Sequence, residues 1–134
     1  MSEGPRLLAR CAVGVVEIDL ETEEAIDADA GTHIERHAVG VSLPLVVAAD
    51  RKGSRIVAVV DRRPPLVVSD DDGATWREVG GGLPPGRDVA ISADHPDRLA
   101  FATAERVYVS RDGGRFWRVL RPELIDVTAV SWAD

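Results

Sequence analysis

The sequence predicts an all-β chain built from repeated four-stranded units. Three observations carry this. The stretch "SDDDGATW" beginning at Ser69 returns as "SRDGGRFW" at Ser110, a spacing of about 41 residues that suits a repeated supersecondary unit. Each copy is entered by a short apolar run, Leu66-Val67-Val68 or Val107-Tyr108-Val109, and left by a polar-apolar stretch, the pattern of a β-hairpin. Upstream of each copy lie two further apolar runs of strand length, bounded by turn residues.

Taken in order, the chain opens with "RLLARCA" (6–12) and "VVEIDL" (15–20), which read as second and third strands lacking an innermost one. Residues 27–34, "DADAGTHI", form a degenerate third copy of the turn, with Asp27, Asp29, Gly31 and Ile34 in the key positions. A competing reading puts the first hairpin turn at Glu21-Thr22-Glu23, directly after the second run. "LPLVVAA" (43–49) and "RDVAIS" (87–92) are expected as innermost strands, and "SRIVAVV" (54–60) and "RLAFATA" (98–104) as second strands. The links between them, "DRKG" and "DHPD", have turn chemistry. The chain closes on "IDVTAVSWAD" (125–134), which resembles an innermost strand. It would complete the unit that the N-terminus leaves short of one.

The repeated turn obeys S-x-D-x-G-x-x-W at Ser69, Asp71, Gly73, Trp76 and again at Ser110, Asp112, Gly114, Trp117. The serine hydroxyl and the aspartate carboxylate accept hydrogen bonds from turn N–H groups. The glycine supplies a positive φ, and the tryptophan buries a large ring against a neighbouring sheet. Asp70 and Asp72 fall at free positions and are expected to face water. The acidic triplet is thereby a turn tip.

These two segments resemble Asp-box, or BNR, repeats, found in sialidases and many other β-propellers. The resemblance implies that each box joins the third and fourth strands of a four-stranded blade, on the face away from the ligand site, so that its acids are structural. One domain over 1–134 is then expected, with a split blade (1–42 plus 125–134) and blades at 43–80 and 87–121. Closed propellers typically have about 4 to 8 blades, and an open three-blade arc exposes apolar faces and unpaired edges. The expected assembly is a homodimer forming one six-bladed propeller, each C-terminal strand completing the partner's first blade. The alternative is a fragment of a longer propeller.

Composition narrows the function. The 134 residues carry a net charge of −7, which opposes nucleic acid or an anionic membrane as partner. Lys52 is the only lysine, arginine supplies the other cations, and there is no Asn or Gln. This points to a GC-rich genome and removes the side-chain amides that commonly hold sugars and bases. Cys11 stands alone, so neither an internal disulfide nor a cysteine zinc site is available. No secretory signal pattern or membrane-length apolar run is present, and a cytoplasmic location is the default expectation. No cofactor is implied.

Sialidase chemistry, as the resemblance implies it, requires an arginine triad, a Tyr–Glu nucleophile pair and an Asp acid. Tyr108 is the only tyrosine and adjoins a box turn, and no "RIP" arginine motif is present. No catalytic residues are assigned. A non-catalytic binding or scaffold protein is expected, with a sialidase-like glycosidase or a sugar-binding propeller as the alternative. Trp132, Phe101 and Phe116 are the remaining aromatic platforms for sugar. Loops "DRRPP" (61–65), "GGGLPPGR" (80–87) and "RPEL" (121–124) fall opposite the boxes. They bring Arg62, Arg63, Arg87 and Arg121 toward the channel mouth, where an anionic small molecule or acidic peptide would bind. The competing reading pairs these arginines with Asp61, Asp88 and Glu123. A third candidate is a metal module: His33, Glu35 and His37 share one face of an extended strand. The competing reading there is a solvated outer strand.

Overall fold

The computed structural model describes residues 5–28, 31–34 and 39–133. It contains twelve strands: β1 (Arg6–Cys11), β2 (Gly14–Asp19), β3 (Ala25–Asp27), β4 (Val46–Lys52), β5 (Arg55–Val60), β6 (Leu66–Ser69), β7 (Arg77–Val79), β8 (Asp88–Ile91), β9 (Leu99–Ala102), β10 (Val107–Ser110), β11 (Arg118–Val119) and β12 (Ala129–Trp132). They form three four-stranded antiparallel sheets. The first has the order β12-β1-β2-β3, the second β4-β5-β6-β7 and the third β8-β9-β10-β11.

The first sheet joins the two ends of the chain. Leu7 lies opposite Trp132 and Arg10 opposite Ala129. The missing innermost strand comes from the C-terminus of the same chain, as the split unit 1–42 plus 125–134 anticipates, and not from a partner's C-terminal strand. Its strands alternate cleanly: Leu7, Ala9, Cys11, Val16 and Ile18 are buried on one face, while Arg6, Leu8, Arg10, Val15 and Glu17 lie half-buried on the other. The second strands of the other two sheets, β5 and β9, are buried on both faces and read as continuous apolar runs.

Three apolar clusters follow from these patterns. Val57, Val59, Leu66 and Val68 of the second sheet pack against Val89, Leu99 and Phe101 of the third. The opposite face of the third, Ala100, Ala102, Val107 and Val109, packs on Leu7, Ala9, Ile18 and Trp132 of the first. Phe101, fully buried, meets Trp117 edge-on at 6.0 Å between ring centroids. Among the described residues the order is therefore second, third, first, with β8 touching both β4 and β12 and no packing between the outer two sheets. The other face of the second sheet, with Ala58, Val60 and Val67 buried and Trp76 partly so, is packed among the described residues by Val41 and Leu43 from the segment before β4 and by Val46 and Ala49 of β4.

Two local expectations are corrected. The first innermost strand was expected over 43–49 but occupies Val46–Lys52. Pro44 and a left-handed Leu45 (φ 63°) delay its start, and a tight turn with Gly53 at φ 61° lets Lys52 pair with Arg55. Asp50 and Arg51 are thus strand residues. The first sheet turns at residues 20–24, where the Asp19 carboxylate accepts the Glu21 N–H at 2.8 Å and Glu23 takes φ 58°. Asp27 sits in β3 opposite Val16, so the degenerate copy at Asp27, Gly31 and Ile34 is not this sheet's hairpin turn. Asp29 lies outside the described residues.

Candidate functional site

The repeated turn is built by its own letters. Ser69 Oγ accepts the Gly73 N–H at 2.8 Å and donates to Asp71 Oδ1 at 2.8 Å, and that carboxylate takes the Thr75 N–H at 2.8 Å. Ser110 repeats the pattern with Gly114 at 3.0 Å and Asp112 at 2.8 Å, and Asp112 accepts the Phe116 N–H at 3.0 Å. Gly73 and Gly114 take φ 92° and 96°, conformations a side chain would strain. The Thr75 hydroxyl and N–H, with Ser69, hold the Asp71 carboxyl down at about 2. The Phe116 N–H and the Ser110 hydroxyl lower Asp112 in the same way. Both carboxylates are occupied inside their turns. Trp117 donates its indole N–H to the Gly114 carbonyl at 2.9 Å and packs in the cluster between second and third sheets.

Asp70 and Asp72 face water as expected, and they also form surface ion pairs. Asp70 meets Arg55 at 2.7 Å and Arg77 at 3.6 Å, and Asp72 meets Arg51. Basic residues on the adjoining hairpins reach over the turn. The x positions of the pattern are free of turn bonding, not of partners.

Two aspartates missed in the sequence tie successive sheets together. An innermost strand has N–H groups that its own sheet cannot satisfy. Asp50 Oδ2 accepts the Ile91 N–H of β8 at 2.7 Å, while its Oδ1 takes the Arg51 N–H at 2.8 Å. Asp88 Oδ2 accepts the Val130 N–H of β12 at 2.8 Å. The available signal was an acid inside each apolar strand run, where Asp is disfavoured unless it has a bonding task.

Strand direction puts the loops at 61–65, 80–87 and 121–124 at the end opposite the two turns. Two hollows open there, of 570 and 200 Å³. Arg63 lines both, and Arg62 joins it in the smaller one beside Val47, Leu83 and Pro85. Neither arginine makes an ion pair among the described residues. Arg87 is drawn off: it pairs with Asp126 and donates to the Val127 carbonyl at 3.2 Å. Arg121 is placed by its backbone N–H on Glu23 at 2.9 Å. The structure therefore brings Arg62 and Arg63 together and does not gather all four. Of the expected acids, Glu123 pairs with Arg106 and Asp88 serves β12, while Asp61 lines the smaller hollow beside Arg62 and Arg63 without an ion pair to either among the described residues.

Of the other candidates, His33 has Nδ1 3.2 Å from the Gly31 carbonyl, and Glu35 and His37 lie outside the described residues. No metal-holding group of acids, histidines or cysteine occurs among the described residues. Phe101 is fully buried, and Trp132 is buried with its indole N–H on the Ala90 carbonyl at 3.1 Å. Of the three proposed sugar platforms only Phe116, 79% exposed, is open to solvent. Tyr108 packs against Phe101 at 6.1 Å. No protein-family model matches the chain, and a search of curated proteins finds no match.

Proposed function

We propose that the chain is a non-catalytic binding or scaffold protein of the Asp-box β-propeller type, which docks an anionic small molecule or acidic peptide at the end opposite its two turns. The observation that carries this is a division of labour. The patterned acids of the turns, Asp71 and Asp112, are consumed by backbone N–H groups. At the other end Arg62 and Arg63 line the smaller hollow together with Asp61, near the exposed Leu45 and Val47, and neither arginine makes an ion pair among the described residues. Guanidinium groups beside apolar surface suit a carboxylate or phosphate carried on a hydrophobic body. The test is capture of partners by the immobilised chain with and without Arg62→Glu and Arg63→Glu. Loss of a specific anionic partner on charge reversal supports the reading, and an unchanged partner set sinks it.

The same reading assigns two copies to one six-bladed ring. The outer faces of the first and second sheets correspond by register to faces that are packed elsewhere in the chain. Trp76, Ala58 and Val67 occupy the places that Trp117, Phe101 and Tyr108 take at the inner junction. Closing such faces isologously removes both free ends. Light scattering should give about twice 14.4 kDa, and a monomer at high concentration rejects the ring.

A further inference from the structure

The two sheet junctions can be compared position by position at the end that carries the turns. Ile56 lies opposite Ser69, and Leu99 opposite Ser110, which makes Arg55 the counterpart of Arg98. Residues following the two serines correspond as Asp70 and Arg111, and those following the two tryptophans as Arg77 and Arg118. Across the junction, Ile91 opposes Leu99 and Trp132 opposes Leu7. Asp97 of the third sheet thus corresponds to Pro5 of the first.

Between the second and third sheets these positions close on themselves. Arg55 reaches Asp70 at 2.7 Å, Asp97 at 2.8 Å and the Pro96 carbonyl at 2.7 Å. Arg77 adds the Gly113 carbonyl at 3.2 Å. Two guanidinium groups meet two carboxylates. Between the third and first sheets the cations are kept and both acids are gone, replaced by Arg111 and Pro5. A hollow of 410 Å³ stands there, lined by Arg98, Arg111, Arg118 and Pro5. Arg98 is held over the Trp132 ring at 5.8 Å, and Arg111 makes no ion pair among the described residues. Arg118 shares Glu23 at 3.2 Å. The lining acids are Glu21 and Asp112, and the second is taken up by its own turn. Phe116 lies exposed along the same wall.

We infer that this hollow is a binding site for a small dicarboxylate, whose two carboxylates take the places that Asp70 and Asp97 fill at the neighbouring junction. The missing charges belong to two separate groups on one central guanidinium, which favours two linked carboxylates over a single compact anion. Arg98, pre-set by its ring contact, corresponds to the central Arg55. Arg111 adds a guanidinium where the other junction has an acid. The volume accommodates a short-chain diacid with water, and the exposed Phe116 ring offers an apolar wall for its methylene chain. This site is at the opposite end from the Arg62–Arg63 hollows and does not depend on the propeller reading.

The experiment is a titration of the full chain with succinate, followed by the indole N–H signals of Trp117 and Trp132, with acetate and inorganic phosphate as controls. Saturable shifts with succinate, absent with acetate at equal carboxylate concentration, are expected. Arg111→Asp restores the acid of the other junction and should weaken binding by at least about ten-fold, while Arg111→Lys retains it within a few-fold. No saturable shift up to ~20 mM succinate, beyond any useful affinity, overturns the inference. An equal response to acetate or phosphate, or unchanged binding in Arg111→Asp, overturns it as well. Should Arg111→Asp fail to fold, Arg111→Ala gives the same readout, and retention of binding there is equally fatal.

Discussion

Replacing Ser110 by alanine, with Ser69→Ala beside it, separates a fastener from a chemical group. Each serine does the same bonding, but its surroundings differ. The Gly114 N–H that Ser110 accepts is buried, whereas the Gly73 N–H at Ser69 is only partly buried. A buried N–H stripped of its acceptor costs about 1–3 kcal/mol. The long contact from the Asp112 N–H at 3.4 Å adds little, and the exposed Asp112 carboxylate recovers its lost bond from water. Ser110→Ala should therefore cost about 2 kcal/mol, and Ser69→Ala, where water can reach the glycine, about 1 kcal/mol or less. With a urea slope near 2 kcal/mol/M, the Ser110→Ala midpoint falls by about 1 M and the other by less than half of that. Urea unfolding followed by tryptophan fluorescence measures both. If Ser69→Ala is the more damaging, or both leave the midpoint unchanged, the burial argument fails.

Three further outcomes follow from named contacts. A methyl group at Gly86 would meet the Phe101 ring at 2.1 and 2.4 Å and Val59 at 3.1 Å, so Gly86→Ala should cost about 1–3 kcal/mol in thermal or urea unfolding. Asp50→Ala leaves the Ile91 N–H and the Arg51 N–H without their acceptor. It should cost about 1–2 kcal/mol and speed amide exchange at Ile91 first. Asp71 and Asp112 are depressed in the fold, so their stabilisation is full above the ordinary carboxyl range and is lost as pH falls toward the folded value, about 2 for Asp71. Thr75→Val removes the hydroxyl that contributes most to that depression, and carboxyl NMR titration should show Asp71 moving upward.

What the sequence made legible is local. The serine-to-tryptophan turns are readable because their serine, aspartate and glycine are joined by bonds made within eight residues. The shared first sheet is readable because its strands are incomplete at both ends of the repeat. Strand starts were harder: Leu43-Pro44-Leu45 has strand composition, and only the proline and the left-handed Leu45 shift β4 three residues on. The first turn lies where the competing reading places it, at Glu21-Thr22-Glu23, and Asp19 and Thr22 cap it by a pattern unlike the other two. In the loops opposite the turns, Arg62 and Arg63 line one hollow, but Arg87 is claimed by Asp126, a residue the spacing does not bring to mind. The aspartates linking β4 to β8 and β8 to β12 depend on which edge N–H lies across from them. That is knowledge of register, which a pattern of apolar and polar letters lacks.

The pairing of Leu7 with Trp132 has a consequence for how the molecule is made. On the ribosome, β1 emerges before the other described strands, and its companion β12 follows after ten intervening ones. During that interval the hairpin of β1 and β2 exposes an open edge and the apolar side of Leu7, Ala9 and Ile18 to any neighbouring nascent chain. Contacts between strands as far apart in sequence as Leu7 and Trp132 also lengthen the search for the native state. Aggregation during synthesis should accordingly be most sensitive to changes at β12, even though that strand is only four residues long.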